Sequence, residues 1–496
     1  VVLRFSTGRG IAFFSLVKRL ADWRLIPERW VLLGWIVLGA WLRTRGLFVH
    51  TFHSDEALFG SWARLIAVWR DPLLRTVAVD KPPLLFYAQA LFYPMQGAVE
   101  WAARLPNWIG SILVIPLVAR IARQCGGERP WLAAALVACS PLAIQFSGTA
   151  FTDPLMTFWL VLSLSLLIEH RWGTAGFVFG LALATKYQAG LFLPLWLVLL
   201  LLDTAEERDR EERQRIDDGH VGLGLRGSGR FFVMMLVVMA LVFAWEWGRS
   251  GSFTLWGQQM GNFGGLRVIW SWELWPRLVE WGKLWGFVLG GGWLSLFWIK
   301  RDHTNGRNSI VAVLLSMFVL GYAAFHWLIA IPAWDRYLLP MVPLIAIWVA
   351  CLVPIRIERG RALLPFALCL CILLAGLARY SWFPVGGAET ADQGAAALAI
   401  HLEEKPYGTV LYDHWYSWQW RYHLFDEAVY VSWFPHPERL VEELDAFMGD
   451  GNRRYVALPV DGRGEAVMTA VQEAGFGLEF VAQEGEIGMF LVTGYE

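Results

Sequence analysis

Long apolar runs separated by short charged stretches dominate the chain. They fall near residues 30–48, 106–122, 131–148, 155–168, 174–185, 189–202, 231–247, 282–299, 310–331, 338–354 and 362–380. A helix needs about 20 apolar residues to cross the hydrocarbon of a bilayer, and fewer where flanking side chains snorkel. The pattern predicts a mainly α, polytopic transmembrane helical protein with about eleven crossings, in a range of about 11–13 spans. One further apolar segment, Leu84–Val99, is expected to dip into the membrane or lie along it.

Charge orients these spans through the positive-inside rule. Arg120, Arg123, Arg129, Arg171, the charged 203–230 loop, the Lys300, Arg301 and Arg307 cluster, and Arg356, Arg359 and Arg361 share one side if Leu84–Val99 does not cross. That side is the cytoplasm when the chain starts inside. Loops 49–83, Thr149–Pro154, the Lys186 turn, 249–281 and 332–337 then lie outside, together with the 381–496 tail. The expected localisation is integral to a bacterial-type plasma membrane, with an extracytoplasmic site. The 203–230 stretch reads as a solvated charge run and is assigned no function.

Beyond Phe383 the pattern changes. Short β-like runs (Thr409–Tyr412, Val429–Val431, Tyr455–Pro459, Leu478–Ala482, Gly488–Val492) alternate with helical stretches at 390–404, 437–448 and 464–474. This predicts a transmembrane unit over 1–380 and a small soluble α/β domain over 381–496. Two readings of that domain stand side by side, a capping or acceptor-binding role and a structural appendage.

Composition narrows the class. The 496 residues are 56% hydrophobic and 17% charged, well below the charge content of soluble domains. A net charge of -1 argues against a nucleic-acid binder. Thirty Trp suit many water–lipid boundaries. The five Cys lack zinc or redox spacing. The N-terminal Arg4, Arg9, Lys18, Arg19 and Arg24 precede the first run; Trp41-Leu42-Arg43 offers no small-residue cleavage site, so a retained span is expected rather than a signal peptide.

The outer loops hold the residues with chemistry. His53-Ser54-Asp55-Glu56 opens a segment whose Leu58, Trp62, Leu65, Ile66 and Trp69 share a helical face, expected in the membrane interface. Asp55 and Glu56 are helix-capping residues on one reading and positioned carboxylates on the other. Asp80-Lys81-Pro82-Pro83 holds a cation at the surface, either for a phosphate or as an ordinary boundary Lys. Asp153-Pro154 opens a span and reads equally as a cap. Lys186 stands between two apolar runs and needs an anion or water. Arg336-Tyr337 offers a donor fork suited to phosphate, or a plain interfacial anchor. Topology puts all of these on one face. Acids beside an interfacial cationic pocket are what glycosyl transfer from a lipid phosphate requires.

Asp55-Glu56, Lys81-Pro82-Pro83, Arg104-Leu105-Pro106, Thr152-Asp153-Pro154, Thr185-Lys186 and Arg336-Tyr337-Leu338-Leu339-Pro340 occur in the order of the protein O-mannosyltransferase and aminoarabinose (lipid A) transferase superfamily. The chain resembles that superfamily over roughly residues 30–380. The resemblance implies a GT-C fold, a polyprenyl-phosphate-linked sugar donor, a lipid, protein or glycan acceptor, and inversion at the anomeric carbon. It implies that Asp55 is the catalytic carboxylate, supported by Glu56. Lys81 and Arg336 would bind donor phosphate, assisted by Tyr337 and Lys186. Asp153 would orient the Lys81 region, Asp80 would hold a polar acceptor or an ion, and Arg104 is carried over as a supporting residue. The aminoarabinose transferases have a His in the loop matching 253–265. Phe253 to Phe263 here contains none, so a zinc site of that kind is not expected; no cofactor is assigned, and a divalent metal is left open. His326 is expected to be a paired core residue. The alternative class is a multi-span transporter using the same outer-face charges, although no repeated halves are found.

Overall fold

The structure is a computed structural model that describes residues 27–49, 51–93, 99–202, 227–253, 267–299, 307–353, 363–383 and 394–495. The basic N-terminal segment, most of the 203–230 loop and the His-free 254–263 stretch lie outside the described residues. In chain order the helices that frame the site are α1 (Glu28–Thr44), α2 (Ser54–Ala67), α3 (Leu84–Ala90), α4 (Glu100–Gln124), α5 (Pro130–Ala138), α6 (Pro141–Ser147), α7 (Thr152–Ile168), α8 (Trp172–Thr185), α9 (Gly227–Ser250), α10 (Leu274–Leu289), α11 (Arg307–Leu328), α12 (Met341–Leu352) and α13 (Leu363–Arg379).

Among the described residues, five helices are long and apolar enough to cross a bilayer, and the α5–α6 pair makes a sixth if it counts as one bent span. Shorter apolar helices cover Thr152–Ile168, Trp172–Thr185, Tyr187–Leu202 and Phe366–Arg379. Leu236, Leu241, Met317 and Leu320 are all more than half exposed, an outward face that only a bilayer makes favourable. Protein buries 72% of the most apolar stretch of Asp335–Leu352 but only 22% of that in Glu28–Val49, so α12 is central and α1 peripheral.

Two expected runs, 282–299 and 131–148, are not single helices. In the first, α10 ends at Leu289 and 3-10 turns follow over Gly290–Trp298. Gly290 has φ +53, and a Cβ on Gly291 would meet the Cys371 backbone nitrogen of α13 at 2.8 Å, so the glycines end the helix where α13 packs closest. In Leu84–Val99, α3 has only seven residues, about 10 Å of rise, and does not cross; residues 94–98 lie outside the described part.

The 131–148 run is broken between α5 and α6, which meet at 59°. A break inside hydrocarbon frees backbone carbonyls that need donors. Arg43 of α1, fully buried, supplies them. Its Nη2 donates to the Val137 carbonyl at 2.8 Å, its Nη1 to Ala138 at 3.0 Å, and its Nε to Ser111 Oγ at 2.9 Å. Ser140 then caps α6 by accepting the Ala143 N–H at 3.2 Å. A guanidinium at the carboxyl end of α5 also complements that helix's dipole. The redirected α6 leads to the Thr149–Asp153 loop of the site.

The C-terminal region is a five-stranded sheet in the order β2-β1-β3-β5-β4, with β1 (Thr409–Asp413), β2 (Val429–Trp433), β3 (Arg454–Pro459), β4 (Phe476–Glu484) and β5 (Ile487–Tyr495). β1, β2 and β3 are parallel; β5 joins β3 and β4 antiparallel. Helices α14 (Ala395–Ala399) and α15 (Ser417–His423) pack on one face through Leu398, Trp420 and Met489. Helices α16 (Pro437–Phe447) and α17 (Glu465–Glu473) pack on the other through Leu440, Val456 and Val471. All five expected strands are present.

Candidate active site

The start of α2 decides what Asp55 can do. His53 is the residue that caps the helix: its Nδ1 accepts the Asp55 N–H at 3.2 Å, while the Glu56 carboxylate accepts the His53 N–H at 3.1 Å. Capping is therefore carried by His53 and Glu56, which leaves the Asp55 side chain for another partner. Arg336 Nη1 donates to Asp55 Oδ2 at 2.9 Å across 281 residues of sequence. Burial pushes the Asp55 carboxyl up, but the Arg336 charge and hydrogen bond, with His53 and Lys81, outweigh it and hold the group below its ordinary value of 3.8.

Arg336 lies in the 3-10 turn Asp335–Leu338 that leads into α12. Its guanidinium is held between the rings of Phe151 (4.8 Å) and Trp334 (4.5 Å). Its Nε is buried and has no hydrogen-bond partner among the described residues. Beside it, Lys186 at the end of α8 donates to Asp153 Oδ1 at 2.7 Å and stands 4.7 Å above the Tyr337 ring. Asp153, almost fully buried in the first turn of α7, thus meets Lys186 rather than orienting the Lys81 region. Lys81 pairs with its neighbour Asp80. Asp55, Lys81, Lys186, Arg336, Tyr337, Asp153 and Asp80 accordingly gather at one end of the helical bundle.

Glu56 and Arg104 stand behind this group as a buried pair. Glu56 Oε1 accepts the Ala150 N–H at 2.6 Å and faces Arg104 Nε at 3.4 Å. Arg104 also donates to the Leu47 carbonyl at 3.3 Å and lies over Phe52. These contacts tie the short Gly46–Val49 helix that follows α1 to α2, α4 and the Thr149–Asp153 loop. Glu56 supports Asp55 by fixing α2, not by facing the cationic cluster.

The face of α2 expected in the membrane interface is protein core instead. Trp62 and Ile66 are buried, with Trp62 edge-on to Phe86 of α3 at 4.7 Å, and only Trp69 remains broadly exposed. The other side of α2 is covered by α15. Arg64 donates to the Tyr422 carbonyl and to Asp426 (2.7 Å), and its guanidinium lies over Phe425 at 4.2 Å. Tyr422 reaches Gly60, where an added Cβ would stand 3.1 Å from its ring, and touches Phe52. Gln419 donates to Ser54 Oγ at 3.4 Å, next to Asp55.

The sequence did not point to His53 as the cap, to Phe151 and Trp334 as a guanidinium clamp, or to α15 on α2. His326 is a core residue, bonded through Nδ1 to the Tyr322 carbonyl at 3.0 Å. Among the described residues, no three His, Cys, Asp or Glu side chains are grouped to hold a metal ion.

Comparison with known proteins places this geometry. Residues 80–213 match the dolichyl-phosphate-mannose-protein mannosyltransferase family. Two Bacillus subtilis (strain 168) proteins, named "Putative mannosyltransferase YkcB" and "Putative mannosyltransferase YycA", are each 31% identical over 137 and 135 residues, 25% of this chain. The matched stretch covers 19% and 20% of those relatives, so the chain matches about a fifth of their length. The crystal structure of ArnT from Cupriavidus metallidurans bound to undecaprenyl phosphate superposes with a TM-score of 0.62 at 14% identity, covering 94% of this chain and 98% of that one. Its apo form gives 0.50 at 15% identity, with 92% and 98% covered. The chain thus shares the ArnT fold, and its 80–213 segment is similar to the mannosyltransferase family.

Proposed function

We propose that the chain is an inverting glycosyltransferase that moves a hexose or pentose from a polyprenyl-phosphate donor to an acceptor at the extracytoplasmic membrane face. The observation that carries this reading is the contact between the Asp55 carboxylate and Arg336, whose Nε hydrogen has no partner among the described residues, beside Lys186 and Lys81. Asp55 takes the proton of the acceptor hydroxyl or amine, whose heteroatom attacks the anomeric carbon. The bond from that carbon to the donor phosphate oxygen breaks on the opposite side, which inverts the centre. The electron pair stays on the departing polyprenyl phosphate, and Arg336, Lys81 and Lys186 receive its charge. ArnT was crystallised with undecaprenyl phosphate, and the relatives carry mannosyltransferase names, so mannosyl and aminoarabinosyl polyprenyl phosphates are the first donors to test.

The test is release of polyprenyl phosphate when purified protein meets radiolabelled donor lipids and an acceptor extract. Flux across proteoliposomes without lipid cleavage would replace the enzyme with a transporter. In Arg336→Gln the donor KM should rise about ten- to a hundredfold, the worth of a charge-assisted hydrogen bond. The same variant carries a pH prediction. Asp55 must be ionised to act, and its carboxyl is held below 3.8, so kcat/KM stays level at neutral pH and falls only as pH drops through that lowered value. Removing the Arg336 charge should move the acid limb to higher pH. An unmoved limb would mean that the titrating group is not Asp55.

A further inference from the structure

Aromatic side chains at the carboxyl ends of the parallel strands remain unused by this chemistry. β1 ends at Asp413 and β2 at Trp433, which are paired across the sheet. Just past them, His414 stacks on Trp433 with ring centroids 5.9 Å apart and planes 16° apart. The His414 Nδ1 bonds the Phe434 carbonyl at 2.7 Å. A carbonyl can only accept, so the ring proton sits on Nδ1 and the neutral ring offers Nε2 as an acceptor. Trp433 is 53% exposed, and Trp418 on α15, with the Arg421 guanidinium 5.1 Å from its ring, is 37% exposed.

The docking of α15 tells where this group lies. Its contacts advance in step with those of α2: Gln419 meets Ser54, Tyr422 meets Gly60, and Asp426 meets Arg64. The two segments therefore run parallel. Residues 413–418 lead directly into Gln419, which meets Ser54 beside the partly exposed Asp55. In open α/β sheets, ligands bind outside the carboxyl ends of the strands.

We propose that His414 and Trp433 form a shelf that binds a saccharide unit of the acceptor, whether that sugar is carried on a lipid or on a polymer. An indole face is a flat apolar surface for the C–H face of a pyranose. His414 Nε2, beside the Trp433 indole, is placed to accept hydrogen bonds from ring hydroxyls, which lipid tails do not offer. Naming this sugar the acceptor rests on the transfer reading; binding by the shelf does not.

The experiment applies the full chain, in detergent, to an array of defined glycans that includes both glycolipid headgroups and free oligosaccharides. Retention of a glycan class is expected, falling about tenfold in Trp433→Ala and His414→Ala and largely kept in Trp433→Phe. No retained glycan, or equal retention by Trp433→Ala, overturns the shelf. Hydroxyl-radical footprinting in nanodiscs supplies an independent arm. Protection of Trp433 by glycan supports the proposal, whereas protection by lipid alone makes it a bilayer contact and overturns it. Glycan retention without transfer from any donor would keep the shelf and sink the transferase reading.

Discussion

Asp55→Asn should reduce polyprenyl phosphate release by about 10²- to 10⁴-fold, the usual worth of a positioned general base, while leaving the protein folded. The Asn side chain keeps an oxygen that can accept from Arg336, and the helix cap is supplied by His53 and Glu56 rather than by residue 55. Site geometry should survive and only proton acceptance should be lost. Initial rates with a saturating donor, set beside thermal unfolding in the same detergent, check both halves. Wild-type turnover in this variant would remove Asp55 from the chemistry altogether.

Glu56→Ala should do the reverse and unfold the site rather than silence it. The change removes the buried carboxylate that faces Arg104 Nε, leaving Glu100 at 3.8 Å as the remaining acid beside it, and deprives the Ala150 and His53 N–H groups of their acceptor. Breaking a buried ion pair by removing one partner costs about 3–5 kcal/mol, a large part of a domain's net stability. A marked fall in the unfolding temperature is expected, and Glu56→Gln should recover part of it by restoring an acceptor of the same shape. An Ala variant with unchanged stability and no turnover would instead make Glu56 a chemical group.

These adjacent carboxylates show where sequence reading works and where it stops. The apolar runs were legible because a membrane crossing is written in consecutive residues, and the sheet because its strands are short apolar runs between turns. The ordered motifs named Asp55, Lys186, Asp153 and Arg336, which the fold brings into contact in two ion pairs. Which acid faces the cations was not legible, since that depends on Ala150 and Arg104 occupying Glu56 from behind. The Asp153–Lys186 pair spans 33 residues, and no local pattern favours it over a pairing of Asp153 with the Lys81 region. Helix α15 was missed because Ser417–His423 is polar and aromatic in near alternation and has no apolar stripe. The Trp62 face of α2, packed on Phe86 of α3, reads as interfacial for the related reason that an indole suits a headgroup layer and a protein core alike.

The parallel seating of α15 on α2 bears on how such proteins diverge and recombine. Arg64 reads the backbone of Tyr422 and the carboxylate of Asp426, and Gly60 is small because the Tyr422 ring lies on it. The segments on either side of this seam are more than 350 residues apart, yet neither can drift without the other. A chimera joined at the end of α13 would graft a foreign docking helix onto a native α2. The transferable module is therefore discontinuous: residues 51–70 must travel with the C-terminal sheet, and specificity exchanged without them should arrive as an inactive hybrid.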